Sequence, residues 1–319
     1  MKIFNKKALA LATVAMLATG LSSQAHAGAK TYSHLLIDNF QIFKTNGDQY
    51  DFGDFDNLDI GNFSNTSAGT LNHGSTSNDS KLFGDLDITA GSGNTDDNAS
   101  CVGLGCDYED SWTMQAAPAG NSFMRGDSEL LGALITGITA GTGLTDANGN
   151  AIGSSVTANA LTEGQTEVTE AGSGNGRVGT GTQFSFSGID DSIRFDFDAH
   201  AMLEVMLHQD DVDAFAALNF SITIFNNTTN TNVYSFSPDE INQSRTQLST
   251  GTTPYSFWGS FSDTSAVLNA TDTYTLSIDH KTSGTFEAIK VPEPGALALF
   301  GIALMGLAST RLRKASRTA

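Results

Sequence analysis

The sequence predicts an all-β protein whose exported body is an antiparallel, jelly-roll-like β-sandwich, and two observations lead to this fold class. Gly, Ser, Thr, Asn and Asp dominate the composition, proline is scarce with 5 residues, and 20 phenylalanines are present. Gly, Asn and Asp favour turns, whereas Thr and Phe favour strands. In addition, apolar and polar residues alternate through much of the second half of the chain, which is the period expected of strands.

The longest alternating run begins at Ile193 and predicts one bent strand or two successive strands. Every odd position in it is apolar: Ile193, Phe195, Phe197, Ala199, Ala201, Leu203, Val205 and Leu207. Residues 218–224 alternate in the same way. The polar stretch 226–232 and a further alternating segment follow, which predicts a β-hairpin.

Further strands are predicted around Tyr255 and Phe257, at residues 273–278 and at residues 286–291. The C-terminal β-sandwich region, residues 182–290, is therefore expected to hold six or seven short antiparallel strands with polar turns.

The Asp- and Gly-rich N-terminal β region, residues 28–163, is less regular. Residues 33–43 and 81–89 alternate enough to predict strands. Asp127 is a suitable N-cap for a short helix with apolar residues at helical spacing, namely Leu130, Leu131, Leu134 and Ile135. Residues 164–181 are rich in Gly, Thr, Ser and Glu and predict a linker or a long surface loop. The sequence leaves open whether that stretch separates two domains or decorates one.

Residues 1–27 have the features of a secretory signal peptide. Three lysines form a basic segment at its start: Lys2, Lys6 and Lys7. Residues 8–21 are apolar, and Ala25 and Ala27 form an A-x-A cleavage site. We expect the Sec machinery to export the chain and signal peptidase to cut it, so that the mature protein begins near Gly28.

Residues 291–319 combine a short rigid motif, an uncharged stretch and a basic tail. The motif is Val291, Pro292, Glu293 and Pro294. In a bilayer, the uncharged residues 295–310 satisfy their backbone only as a helix, of about 24 Å against a hydrocarbon core of about 30 Å. The basic residues that follow anchor this end in the cytoplasm: Arg311, Arg313, Lys314 and Arg317. The pattern predicts a single transmembrane helix with the body of the protein outside.

This layout resembles the PEP-CTERM sorting signal of Gram-negative bacteria. The resemblance implies a membrane protease of the exosortase type that cuts near Pro292–Pro294. The protein would be anchored transiently in the inner membrane with its body in the periplasm, and would then reach the cell surface or the extracellular matrix. The family is associated with exopolysaccharide and with biofilm or floc formation. A plain C-terminal membrane anchor is the alternative interpretation.

A second resemblance lies in the body. Residues 109–112 read Glu-Asp-Ser-Trp and residues 116–118 read Ala-Ala-Pro. Together they resemble the Glu-Asp-Ser-Ala-Pro element of the EDSAP-type subgroup of PEP-CTERM proteins, although residues 112–115 interrupt the element here. The subgroup implies no activity for this chain.

The predicted body is strongly acidic. Residues 28–292 contain 9 Lys and Arg against 34 Asp and Glu, a net charge of −25, whereas the whole chain has −19. Such a body repels nucleic acid and anionic membrane surfaces, so we expect no nucleic-acid partner.

Aspartates crowd one segment and include Asp51, Asp54 and Asp56. Their oxygens are the ligands that Ca²⁺ prefers, which makes these three a candidate calcium site. The EF-hand pattern fails at residues 146–157, where glycine is missing at the sixth position and Thr157 replaces the final Glu. We favour a solvated acidic surface and expect no cofactor.

Cys101 and Cys106 are the only cysteines, and glycines lie between them. In an exported chain this spacing favours a small-loop disulfide, with metal binding as the alternative. His200, Glu204 and His208 are four residues apart, but on a strand about 13 Å would separate Glu204 from each histidine, too far to share an ion.

No nucleophile elbow, zinc-protease motif or phosphate-binding loop is present in the sequence. We therefore expect a non-catalytic surface or matrix protein. The alternative is a carbohydrate-binding module or adhesin, in which Trp112, Tyr255 and Trp258 stack on sugar rings; the parity of Trp258 opposes that of Tyr255 and Phe257 and favours its exposure. An extracellular hydrolase is the third hypothesis, and it would need a pocket with two facing carboxylates.

Overall fold

The computed structural model describes residues 28–59, 63–71, 75–83, 96–103, 112–114, 122–132, 134–135, 155–166, 172–207 and 213–288. Strands dominate these residues, and the predicted all-β, antiparallel class is confirmed. The strands are β1 (Ala29–Phe43), β2 (Asn57–Asp59), β3 (Phe63–Leu71), β4 (Ser75–Phe83), β5 (Asp96–Gly103), β6 (Phe123–Gly132), β7 (Val156–Gln165), β8 (Gly172–Ser187), β9 (Arg194–Leu207), β10 (Asp213–Asn226), β11 (Thr231–Phe236), β12 (Ser244–Gln247), β13 (Gly251–Thr264) and β14 (Tyr274–Ala288). Two short 3₁₀ helices, Phe52–Asp54 and Asp239–Ile241, complete the described elements.

The strands form two sheets that face each other. The first sheet has the order β13-β9-β1-β7-β6-β5, and the second has the order β11-β10-β14-β8-β3-β4, with β12 beside β10 and β2 beside β8. Phe197 of the first sheet packs on Phe220 of the second with ring centroids 5.0 Å apart. The Ser33 hydroxyl of the first sheet donates a hydrogen bond of 3.0 Å to the Ser283 carbonyl of the second.

In the described residues no helix has the length and apolar character needed to cross a membrane. The predicted signal peptide, residues 1–27, and the predicted transmembrane residues 295–310 both lie outside that part of the chain.

Each sheet contains strands from both predicted regions. β1 lies between β9 and β7, and β8 lies between β14 and β3. Residues 172–181, predicted as part of a linker or loop, belong to β8 instead. Composition misled here because Gly174 and Gly176 of this strand face the core rather than solvent. A β-carbon at Gly174 would lie 2.4 Å from the Phe286 ring, so only glycine fits.

The short helix predicted after Asp127 is wrong. Residues 123–132 form β6, and Asp127 pairs with Ala99 of β5 and Leu161 of β7. Pairing on both sides supplies backbone hydrogen bonds along the strand, which outweighs the weak helical spacing of a few leucines.

The regular second half follows its predicted pattern. The run from Ile193 is one strand, β9, in which the odd positions are buried. β10 and β11 form the predicted hairpin around a polar turn at residues 227–230.

The core between the sheets has two parts of different composition. The aromatic half lies between β9 and β13 on one side and β10 and β11 on the other, and it consists of Phe40, Phe195, Phe197, Phe220, Tyr234, Phe236, Phe257 and Phe261. The glycine half lies between β1, β6 and β7 and the facing β8 and β14, and it consists of Thr31, Ser33, Met124, Thr162, Gly174, Gly176, Thr180, His280, Thr282, Gly284 and Phe286.

Candidate polysaccharide-binding face

The outer face of the first sheet carries aromatic and polar side chains in rows that cross the strands. Residues that pair directly across antiparallel strands share a face. One row runs through Trp258, His200, Leu36 and Asn159. A second row, two residues further along, contains His34, and a third contains Tyr32, Glu163 and Arg125.

Trp258 is strongly exposed, with 73 % of its surface open to solvent. Its ring centroid lies 4.9 Å from that of His200 on the neighbouring strand. Burial lowers the pKa of His200, so the imidazole is neutral near pH 7. The pair forms an uncharged aromatic platform on the surface.

Hydrogen-bonding groups flank the platform. The Ser260 hydroxyl donates to an Asp198 oxygen at 2.5 Å, and Asn39 donates to the other Asp198 oxygen at 3.0 Å. The hydrogen bonds from Ser260 and Asn39 lower the pKa of Asp198, which therefore stays ionised. We call the surface formed by Trp258, Ser256, Ser260, His200 and Asp198 the Trp258 face.

The other two aromatic residues considered for sugar stacking are engaged within the protein. The Trp112 ring stacks on His34 with centroids 6.0 Å apart, and its carbonyl accepts a hydrogen bond of 2.8 Å from the Tyr32 hydroxyl. Tyr255 donates to the Glu240 carbonyl at 2.7 Å and lies under the Arg245 guanidinium at 4.8 Å. Of the three, Trp258 is the one with an open face.

A buried ion pair lies under the Trp112 segment. The Arg125 guanidinium contacts one Glu163 oxygen at 2.9 Å, and the Lys30 ammonium approaches the other at 3.4 Å. Arg125 also donates to the Thr113 carbonyl at 2.7 Å. Arg125 and Glu163 are both buried, and breaking a buried pair would leave an unpaired charge. The network therefore fixes the Trp112 segment to the sheet.

His34 joins this buried network. It lies 2.6 Å from the Asn159 amide oxygen and its ring is 6.2 Å from that of His200. Burial lowers the pKa of His34 to about 4, so it is neutral and donates to Asn159 at physiological pH.

The third row also brings two glutamates toward Tyr32, because Glu163 and Glu204 both pair with it. Strands two positions apart are separated by about 9.6 Å, which is at the upper limit of the carboxyl separation in inverting glycosidases. Glu163 is fully buried, however, and faces cations at both oxygens. A general acid must exchange a proton with substrate, which this arrangement does not favour.

A small cavity of about 30 Å³ lies between the sheets. Apolar side chains such as Ile37 and Phe220 line it, together with His280 and Thr180. His280 bonds the Leu35 carbonyl at 2.8 Å and the Thr180 hydroxyl at 3.1 Å, so both ring nitrogens already have partners. The bond from His280 to Leu35 links the two sheets, and the bond to Thr180 links neighbouring strands of the second sheet.

The candidate calcium ligands have structural partners. Asp51 accepts from the Gly53 amide at 2.7 Å, and Asp54 accepts from the Asp51 amide at 2.7 Å, which forms a capping box. Asp54 also pairs with Lys44 at 2.5 Å, and Asp56 is exposed. No cluster of three metal-ligating side chains occurs within the described ranges.

Cys101 is disulfide-bonded and lies beside Arg125 on the outer face. The chain has one other cysteine, Cys106, which lies outside the described residues. The same holds for His208, for the cleavage residues Ala25 and Ala27, for the motif Val291–Pro294 and for the tail Arg311, Arg313, Lys314 and Arg317.

The C-terminal residues decide the family resemblance. Residues 290–314 match the family model of the PEP-CTERM protein-sorting motif. The chain carries a PEP-CTERM sorting signal. This confirms the resemblance found in the sequence and implies that the chain is exported and processed at the membrane by an exosortase-type system. A search of curated proteins finds no match to the chain.

Sequence reasoning identified Trp258 but missed the residues beside it. The spacing of His200 suggests a metal ligand rather than a partner of Trp258, and no sequence pattern indicates that Asp198 and Ser260 lie nearby. The signal was present in the even positions of β9, where Asp196, Asp198 and His200 alternate with the buried odd positions.

Proposed function

We propose that this PEP-CTERM protein is a non-catalytic cell-surface or extracellular-matrix protein that associates with exopolysaccharide. An exosortase-type protease would cut the chain near Pro292–Pro294, after transient anchoring in the inner membrane with the body in the periplasm. The sorting motif at residues 290–314 is the observation that carries the proposal.

The body fits a structural role. Two long antiparallel sheets are tied together by cross-sheet hydrogen bonds and aromatic contacts, and the buried cations Arg125 and Lys30 occupy both oxygens of Glu163. These features support a rigid scaffold without acid–base catalysis.

Mass spectrometry of the protein released from the cell surface tests the processing. We expect a new C-terminus close to Pro292–Pro294 and no peptide from the Arg311–Arg317 tail. Deletion of residues 291–319 should leave the protein free in the periplasm. An intact tail on the released protein would overturn exosortase-type processing and leave a plain membrane anchor.

Carbohydrate binding at the Trp258 face is the second candidate function, and the exposed platform of Trp258 and His200 favours it. An aromatic ring offers an apolar surface for a sugar ring, and the neighbouring Ser260 and Asp198 offer hydrogen-bonding groups for its hydroxyls. Under this proposal the protein acts as a carbohydrate-binding module or adhesin.

The charge of the body narrows the ligand class. With a net charge of −25 over residues 28–292, the protein repels anionic polymers. Affinity gel electrophoresis should therefore show retardation by a neutral polysaccharide and none by a polyuronate at low salt. Retardation by the polyuronate alone would contradict this assignment.

A further inference from the structure

β13 is the terminal strand of the first sheet and is one of the longest strands in the described residues. It spans 14 residues and pairs with β9 continuously from Gly251 to Thr264, without a change of register. Within the described ranges no strand pairs with its other edge. All 14 residues are at least partly exposed, whereas alternate residues of β9 are buried.

Two observations show which backbone groups point to the open edge. The Ser265 amide, one residue beyond the strand, donates to the Ile193 carbonyl at 2.9 Å and continues the ladder toward β9. Residues of the same parity, such as Phe257 and Phe261, therefore bond to β9, because an antiparallel strand alternates between its two sides. Pro254 has the opposite parity and has no N–H to donate, as expected of a position that faces away from the ladder.

The even positions of β13 therefore direct their N–H and C=O groups to the open edge. Apart from Pro254, these are Thr252, Ser256, Trp258, Ser260, Ser262 and Thr264. Such a row of backbone groups is a template for another strand.

Proteins usually protect an open edge by short length, charge, proline or a bulge. β13 has one proline and one charged residue, Asp263, in its 14 residues. The other terminal strands differ, because β11 has 6 residues, β5 carries Asp96 and Asp97, and β4 carries Asp79 and Lys81.

We propose that the open edge of β13 pairs antiparallel with β13 of a second copy of this chain and continues the first sheet across a two-fold axis. The low charge of β13 makes this strand suited to a second copy, because two identical strands paired antiparallel about Trp258 place no two charged side chains directly opposite each other. Two bodies that each carry −25 repel each other, and they can approach only where little charge lies at the contact. β13 is such a place, since Asp263 is its one charged residue.

The antiparallel direction also separates the remaining charges. If the pair is centred near Trp258, the two Asp263 carboxylates lie at opposite ends, more than about 30 Å apart at about 3.3 Å per residue. That distance exceeds the Debye length of about 8 Å at physiological ionic strength.

Pairing would also bring the two Trp258 faces side by side on one continuous sheet. Outer-face residues remain on the outer face, because directly paired residues share a face. Two linked platforms bind one polymer chain more tightly than a single platform does. The pairing itself does not depend on sugar binding, so it goes beyond the proposed function.

Analytical ultracentrifugation and residue-resolved amide exchange test the proposal with the full-length chain in mild detergent. We expect a monomer–dimer equilibrium. As concentration rises, exchange should slow at the amides of Ser256, Trp258, Ser260 and Ser262. The amides of Tyr255, Phe257 and Phe261 should change little, because β9 already protects them.

Two substitutions at one position separate edge pairing from other contacts. Ser256→Pro removes a donor at the open edge and keeps the ladder to β9, and Ser256→Lys places a charge there. Each should raise the dimer dissociation constant at least tenfold. Lysine lowers the net negative charge, so weaker pairing could not result from greater repulsion between the bodies.

Ser235→Lys on the exposed edge strand β11 is the matched control and should leave the dissociation constant unchanged. Unchanged thermal unfolding would show that the Ser256 variants fold. Three results would each overturn the proposal. The wild type could stay monomeric at every concentration, both Ser256 variants could leave the dimer unaffected, or the slowed amide exchange could be confined to other strands. Trp258→Ala should leave the dimer intact, so a failure of sugar binding is distinguishable from a failure of pairing.

Discussion

The two halves of the core hold the same pair of sheets together by different means. In the aromatic half, rings fill the space between the sheets, as in the Phe195–Tyr234 pair with centroids 5.2 Å apart. In the glycine half, small residues let the sheets approach until hydroxyls bond across the gap. Thr162 and Thr282 lie 2.8 Å apart there, and His280 reaches the Leu35 carbonyl at 2.8 Å.

The difference extends to the outer face of the first sheet. Beside the aromatic half, β9 and β13 present the exposed Trp258 face. Beside the glycine half, several outward residues of β6 and β7, such as Phe123, Leu161 and Glu163, have no exposed surface. One half therefore offers a surface to partners, and the other fixes the fold. The two halves should also lose stability in different ways. Removal of side chains should destabilise the aromatic half, and addition of side chains should destabilise the glycine half.

The largest effect is expected from Phe220→Ala in the aromatic half. Phe220 is buried against Phe197, and removal of its ring leaves a cavity that the rigid sheets cannot close. We expect a loss of about 3–5 kcal/mol in the free energy of unfolding, measured by chemical denaturation. Phe225→Ala is the control on the same strand. Because Phe225 is exposed, this variant should lose much less free energy of unfolding. Equal losses at the two positions would contradict the packing described for this half.

Gly176→Val tests the glycine half in the opposite direction. A β-carbon at Gly176 would lie 2.2 Å from the Met124 Cε atom and 2.7 Å from the Thr162 Cγ2 atom, so these buried side chains of the facing sheet must shift. We expect a loss of about 1–3 kcal/mol from overpacking, with a lower melting temperature.

Asn175→Val is the matched control, because Asn175 is the neighbouring residue of β8 and is exposed. It should change stability by about 0.5 kcal/mol or less. If Gly176→Val were equally harmless, close approach of the sheets would not be what the glycines provide.

Acid should weaken the glycine half through His280. Burial lowers the pKa of His280 to about 4, whereas an unfolded histidine titrates near 6.5. The unfolded chain therefore takes up the proton first. The stabilisation is complete above pH 6.5 and is lost as pH falls from 6.5 toward 4, by up to about 1.4 kcal/mol per pH unit.

The comparison of His280→Gln with the wild type isolates this contribution. At pH 7.5 the variant should have a lower free energy of unfolding than the wild type. The difference between the two proteins should shrink as pH falls toward 4. A constant gap across that range would show that His280 does not titrate as described. His34 remains in both proteins; its charge would lower the pKa of His280 further, in the same direction as burial does.

The aromatic half could be predicted from sequence because its strands alternate cleanly. The odd positions from Ile193 to Leu207 are apolar and buried, so the pattern and the burial agree. The glycine half could not, because glycine at 174 and 176 carries no side chain that reveals its direction. Only the facing residues Met124 and Phe286 explain these glycines, and they are distant in sequence.

The candidate site was predictable in part for a similar reason. The parity of Trp258 against Phe257 indicated its exposure, and the structure agrees. The position of His200 beneath it depends on the register between β9 and β13, which the sequence does not reveal. Jelly-roll-like connectivity, the EDSAP-type subgroup and the Cys101–Cys106 pairing stay predictions.

Binding of a neutral polysaccharide by Trp258→Ala tests the role of the exposed face most directly. Val267→Ala is the matched control, since Val267 is an apolar side chain with 70 % exposure outside the Trp258 face. Both substitutions should change the free energy of unfolding by about 0.5 kcal/mol or less, because neither side chain is buried. In affinity gel electrophoresis we predict that Trp258→Ala loses at least tenfold in affinity while Val267→Ala binds as the wild type does. Undiminished binding by Trp258→Ala would contradict the assignment of the Trp258 face as the polysaccharide-binding surface.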